Sequence, residues 1–149
     1  MAVAKTKPGT KKLSEVAKYL CRPAGIVSTG WPAVEKTCRD KLSIEFDEWQ
    51  RGIGRLALAK RTDGMLAAMV GGVGMSLPRQ VGKTFLLTGM IFGLCINTPG
   101  LLVIWTAHHS KTSGATFLAM QAFAQRAKVK PYIQQVFTGS GDEEIRFAN

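Results

Sequence analysis

The chain has 149 residues, of which 46 % are hydrophobic, so it is long enough to bury a core and too apolar to be disordered. Lys and Arg outnumber Asp and Glu by 20 to 10, and the net charge of +10 favours a polyanionic partner such as DNA or a nucleotide. Cys21, Cys38 and Cys95 are widely spaced with no C-x-x-C pair, which argues against a disulfide framework or a zinc site and indicates a reducing compartment.

The N-terminal segment, residues 1–42, reads as a basic arm and connector. Its first 22 residues contain one acid, Glu15, and six basic residues: Lys5, Lys7, Lys11, Lys12, Lys18 and Arg22. A solvated tail is the simpler interpretation of this composition, and a DNA contact is the alternative. No apolar segment follows the basic residues, so we expect no secretory signal.

A phosphate-binding loop is the strongest motif of the sequence. An amphipathic helical stretch with apolar positions at Phe46, Trp49, Ile53, Leu56 and Leu58 precedes it, and a strand is predicted from about Val73 to Leu77. The loop itself is Pro78, Arg79, Gln80, Val81, Gly82, Lys83 and Thr84.

The last three residues of the loop have the chemistry that phosphate and Mg²⁺ binding requires. Gly82 allows the backbone to approach a polyphosphate, Lys83 reaches the β- and γ-phosphates, and the Thr84 hydroxyl can bind Mg²⁺. The first glycine of the usual G-x-x-x-x-G-K-S/T pattern is replaced by Leu77, so the loop entry must differ. A Gly-Lys-Thr turn between two core elements is the simpler alternative.

The predicted elements after the loop alternate between helix and strand. Residues 85–105 carry no charge and are long enough to cross a bilayer, but the turn Asn97–Gly100 interrupts them. We therefore predict a helix over 83–96, a buried strand over 101–106, a helix over 110–128 and a hairpin over 132–149. This order predicts an α/β fold, a P-loop NTPase-like three-layer parallel sheet, incomplete at the C-terminus and with a partly helical N-terminal extension.

Four segments carry a resemblance to phage terminase large subunits. Arg79-Gln80-Val81-Gly82-Lys83-Thr84 after an apolar strand resembles the ATPase motif of that family. Phe46–Gln50 resembles its adenine-contacting segment, and Leu101–His109 resembles its second strand, which ends in a Thr-Ala pair. Gly25–Pro32 is similar to terminases of phages that infect actinobacteria. Together the segments cover residues 25–149 in the family order.

The resemblance implies a DNA-packaging ATPase. Residues 43–149 would be the N-terminal portion of its P-loop domain, with Trp49, Gln50 and the loop residues binding ATP and Mg²⁺, and with Arg79 and Lys83 as catalytic residues. The complete protein would couple ATP hydrolysis to translocation of double-stranded DNA into a procapsid. It would act as a homo-oligomer in the host cytoplasm and would bind the procapsid portal transiently. Its partners would be the portal and the small terminase subunit, and no membrane would be involved.

The carboxylates that hydrolysis requires are missing from the sequence pattern. Asp142, Glu143 and Glu144 follow Thr-Gly-Ser-Gly rather than an apolar strand, and in the family the acidic pair lies on the next strand. The chain is thus expected to bind nucleotide without turnover and to have an unpaired sheet edge.

His108 and His109 suggest polar contacts or capping rather than zinc. Two alternatives remain: a stand-alone P-loop nucleotide-binding protein or small kinase, and a non-catalytic remnant or interaction module.

Overall fold

The computed structural model describes residues 9–68, 71–139, 141 and 143–148. The helices and strands are α1 (Leu13–Val16), β1 (Ser28–Thr29), α2 (Trp31–Leu42), α3 (Glu48–Ala57), β2 (Ala59–Lys60), α4 (Lys83–Asn97), α5 (Ser110–Ala124), β3 (Ile133–Phe137) and β4 (Glu144–Phe147). A short 3₁₀ helix, Lys130–Tyr132, precedes β3. The chain divides into two compact units, Met1–Ala33 with Glu45–Val81 and Val34–Ile44 with Gly82–Asn149.

The first unit is organised around Trp31, which is fully buried. Its ring packs against Phe46 at a centroid distance of 5.2 Å. A Cβ placed on Gly54 of α3 would lie 2.2 Å from Trp31 Cε3, so α3 approaches the indole closely because residue 54 has no side chain. β1 and β2 pair antiparallel, with Ser28 opposite Lys60.

The second unit packs α4 against the residues of α2 that belong to it. A Cβ on Gly93 would lie 2.8 Å from Val34 Cγ1, and the Cys38 thiol donates a hydrogen bond to the Gly89 carbonyl at 3.1 Å. Phe92 contacts the rings of Phe123 and Phe147 at centroid distances of 5.9 and 5.5 Å. Gly89 and Gly93 of α4 thus lie against α2.

The predicted parallel three-layer sheet is wrong. In the described residues, strands pair only as β1 with β2 and β3 with β4, and both pairs are antiparallel. Residues 72–78 and 101–107, predicted to supply parallel strands, have no assigned secondary structure. A strand forms only where a second backbone accepts and donates its hydrogen bonds, and an apolar sequence alone does not provide that partner.

The predicted helices and the C-terminal hairpin agree with the structure. The helices predicted from Lys83 and from Ser110 begin at those residues, although the second ends at Ala124 rather than Lys128. β3 and β4 form the expected hairpin. Several residues named above, Lys5, Lys7, Ser140, Asp142 and Asn149, lie outside the described residues.

Two further structural facts concern the membrane and the thiols. Within the described ranges, no helix is both long and apolar enough to cross a bilayer. Cys21, Cys38 and Cys95 are free thiols, the first exposed and the other two buried.

Candidate phosphate-binding site

The backbone of the predicted loop contains two residues in the left-handed region. Gln80 has φ +61°, and Gly82, the residue that precedes α4, has φ +83° and ψ +24°. Glycine adopts this conformation without steric cost, whereas a residue with a Cβ is disfavoured there by roughly 1–2 kcal/mol. The loop therefore keeps a strained residue at Gln80, and such strain is concentrated at functional sites.

The loop ends on the N-terminus of a fifteen-residue helix. The Leu86 amide donates to the Gly82 carbonyl at 3.0 Å. This is the first hydrogen bond of the helical ladder, and Lys83, Thr84 and Phe85 form the first turn before it. The first turn contains no acidic side chain, and Gly82 supplies no side-chain cap. The positive end of a helix dipole favours an anion.

The loop side chains differ in exposure. Arg79, Gln80 and Thr84 are exposed, and Lys83 is half-buried. The boundary between the two units falls between Val81 and Gly82, so Arg79 belongs to the first unit and Lys83 with Thr84 to the second. The structure thus gives these residues the exposure that a ligand contact needs, and their roles toward ATP and Mg²⁺ stay predictions.

Trp49 and Gln50, predicted to contact adenine, lie at the start of α3. Gln50 is 4 % exposed, and its Oε1 accepts a hydrogen bond from the Asp47 amide at 2.9 Å. Trp49 Nε1 donates to Asp47 Oδ2 at 3.1 Å. In this arrangement Gln50 completes one half of a capping box and stabilises the helix start. Sequence reasoning missed this role, although the Asp-x-x-Gln spacing is its signal.

Two carboxylates of the second unit, Asp40 and Glu144, form ion pairs. Asp40 Oδ2 pairs with Lys36 Nζ at 2.6 Å, and this hydrogen bond is the main cause that lowers the pKa of Asp40. Glu144 Oε1 pairs with Arg146 Nε at 2.9 Å. Across the described part of the chain, no group of three His, Cys, Asp or Glu side chains is placed to hold a metal ion.

The rings of the two adjacent histidines contact each other before α5, with a tilt of 52° between their planes. Their ring centroids are 4.5 Å apart, and His109 is the residue that precedes the helix. Both are exposed, as is Lys111 in the first turn of α5. His109 thus lies at the helix start, but its side chain forms no capping hydrogen bond, and polar contacts of the two histidines stay a prediction.

The second unit also contains a groove of about 570 Å³. α4, α5, residues 100–105 and β4 form its walls. Leu101 and Val103 are 39 and 38 % exposed, whereas Leu102 and Ile104 are 80 and 77 % exposed. This alternation has the period of two that is typical of an extended strand with one covered face.

Comparison with known proteins finds no family model, curated protein or solved structure that matches the chain.

Proposed function

We propose that residues 78–84 bind the phosphates of ATP together with Mg²⁺, and that the chain is the ATP-binding part of a terminase-type DNA-packaging motor. The observation that supports phosphate binding best is the left-handed Gly82, which leads directly into a helix N-terminus that begins with Lys83 and has no acidic side chain in its first turn. The packaging role rests on the resemblance of the loop and its flanking segments to terminase large subunits.

The proposed chemistry stops at binding. Lys83 would neutralise β- and γ-phosphate charge, the Thr84 hydroxyl would be a Mg²⁺ ligand, and Arg79 would stabilise charge on the γ-phosphate. Hydrolysis requires additional carboxylates to hold Mg²⁺ and to orient water. Since the described acids are not grouped for a metal, we propose nucleotide binding without steady-state turnover for this chain.

The first test is thermal and chemical unfolding with and without MgATP. A ligand that binds only the folded state raises the free energy of unfolding by about 2.7 kcal/mol at a concentration one hundred times its Kd. We expect this increase in the wild type and its loss in Lys83→Ala, because the substitution removes the cation nearest the phosphates.

Lys111→Ala is the matched control for that test. Lys111 is an exposed lysine in the first turn of α5, so its removal changes the net charge equally at another helix start. MgATP stabilisation equal in Lys83→Ala and wild type, or absent from the wild type, would overturn the proposal and favour a non-catalytic interaction module. Phosphate release that Lys83→Ala abolishes would contradict the absence of turnover.

A further inference from the structure

A second cavity, in the first unit, is lined by two arginines. Its volume is about 550 Å³. The lining residues are Arg22, Pro23, Ile26, Val27, Ser28, Thr29, Arg55, Leu56 and Ala59. They contain two guanidinium groups, two hydroxyls and an apolar floor, with no carboxylate.

The two guanidinium groups have no carboxylate partner among the residues that the structure describes. Both arginines are exposed, and neither forms an ion pair with any described residue. Most acids of the same unit are engaged elsewhere: Glu15 with the Lys12 amide, Asp47 with the Gly9 amide, Glu48 with Arg51 and Asp63 with Arg61. An anion that enters this cavity would therefore meet two positive charges without displacing an internal partner.

The backbone around Arg55 is held in place. The Thr29 hydroxyl donates a hydrogen bond to the Arg55 carbonyl at 2.9 Å, which fixes the last turn of α3 to β1. The amides of Val27 and Gly30 donate to the carbonyls of Lys60 and Leu58, each at 2.9 Å. These hydrogen bonds hold the backbone of Arg55 beside Thr29, so an entering anion would not have to order the backbone of that wall.

We propose that this cavity binds phosphate groups of a DNA backbone, with Arg22 and Arg55 as the phosphate ligands. Guanidinium groups bind phosphate oxygens through paired hydrogen bonds, and the net charge of +10 attracts the polyanion. The inference uses the proposed function only to choose DNA as the phosphate-bearing partner. It concerns a site distinct in sequence from the loop at residues 78–84.

Arg55 also has a simpler structural explanation. It lies in the last turn of α3, where a positive side chain stabilises the negative end of the helix dipole. That role would change the stability of the protein but not the number of counterions released from DNA. The salt dependence of binding distinguishes the two, because the slope of log K against log salt falls by about one for each phosphate contact removed.

The experiment measures binding of a fluorescent duplex DNA to the whole chain at several salt concentrations. We expect Arg22→Gln and Arg55→Gln each to reduce the salt slope by about one and the double variant by about two. Arg39→Gln is the control, because Arg39 is an exposed helical arginine that already has a carboxylate neighbour, Asp40, at 3.4 Å. A slope unchanged in the folded double variant, or reduced equally by Arg39→Gln, would overturn the proposal.

Two further measurements separate this site from the ATP site and from free nucleotide. Lys83→Ala should lose MgATP stabilisation while its DNA salt slope remains that of the wild type, so either proposal can fail alone. The double arginine variant should retain MgATP stabilisation. If free ATP displaces the duplex completely from Lys83→Ala, the cavity is a nucleotide site and the assignment to a DNA backbone is wrong.

Discussion

At the scale of single residues, the three thiols occupy very different environments. Cys38 is completely buried and its Sγ donates to the Gly89 carbonyl. Burial, with a smaller contribution from the charge of Glu35, raises the pKa of this thiol to about 12. Burial also raises the pKa of Cys95, whereas Cys21 is exposed. Since the thiolate is the nucleophile, these differences determine which cysteine reacts.

We expect one fast-reacting thiol in the native protein. At pH 8 a thiol with a pKa of about 12 is ionised to only about one part in ten thousand, so Cys38 should react only through unfolding. The measurement is the rate of a colorimetric thiol reagent with wild type and Cys21→Ser under native conditions. Loss of the fast phase in Cys21→Ser is the expected result, and a fast phase that survives there would show that a buried thiol is accessible.

At the scale of helices, two glycines offer opposite tests of packing. Gly54 of α3 lies against the buried Trp31, where an added Cβ would be 2.2 Å from Cε3. Gly114 lies within α5, and an added Cβ there meets nothing within 4 Å. Neither residue has a positive φ, so steric contact and helix propensity decide the outcome.

We expect Gly54→Ala to destabilise the protein by about 1–3 kcal/mol, because the methyl group must displace a fully buried indole. Gly114→Ala should stabilise it by roughly 0.5–1 kcal/mol, because alanine loses less backbone freedom in a helix. Equilibrium urea unfolding of both variants measures the difference. Equal midpoints would mean that α3 does not pack against Trp31 as the structure describes.

The helices and the hairpin could be predicted from the sequence, whereas the strand pairing of the sheet could not. The helix starts at Lys83 and Ser110 were correct because the hydrogen bonds of a helix are local, and Gly82 marks the first of the two boundaries. The strands predicted at Val73 and Leu101 were wrong as members of a parallel sheet, because pairing depends on backbone from elsewhere in the chain. The hairpin β3–β4 was predictable because its partner is close in sequence.

The candidate site was predictable to the same extent. The Gly-Lys-Thr pattern indicated where the loop meets a helix, and the left-handed Gly82 agrees with the need for glycine there. The left-handed Gln80 has no sequence signal, since a glutamine does not favour a positive φ. The burial of Gln50 depends on packing around α3 and could not follow from its hydrophilic side chain.

At the scale of the whole molecule, two features act in opposite directions on self-association: the high net charge disfavours it, and an uncharged, exposed apolar segment favours it. The charge of +10 repels copies of the chain from one another. Leu102 and Ile104 are exposed on an extended segment whose backbone amides, from 102 to 107, form no hydrogen bond to described backbone. Such an edge can pair with an edge of another molecule unless a charge blocks it.

Salt should therefore increase self-association of this protein. The Debye length falls from about 10 Å at 0.1 M to about 3 Å at 1 M salt, which screens the repulsion and leaves the apolar contact intact. We expect sedimentation velocity to show a mass that rises with protein and salt concentration, and Ile104→Lys to remain monomeric.

Leu118→Lys is the control, because Leu118 is 65 % exposed but lies on α5, whose backbone is already hydrogen-bonded. Association that falls with salt, or that Leu118→Lys prevents equally, would show that charge or general hydrophobicity causes it rather than the edge at residues 102–107.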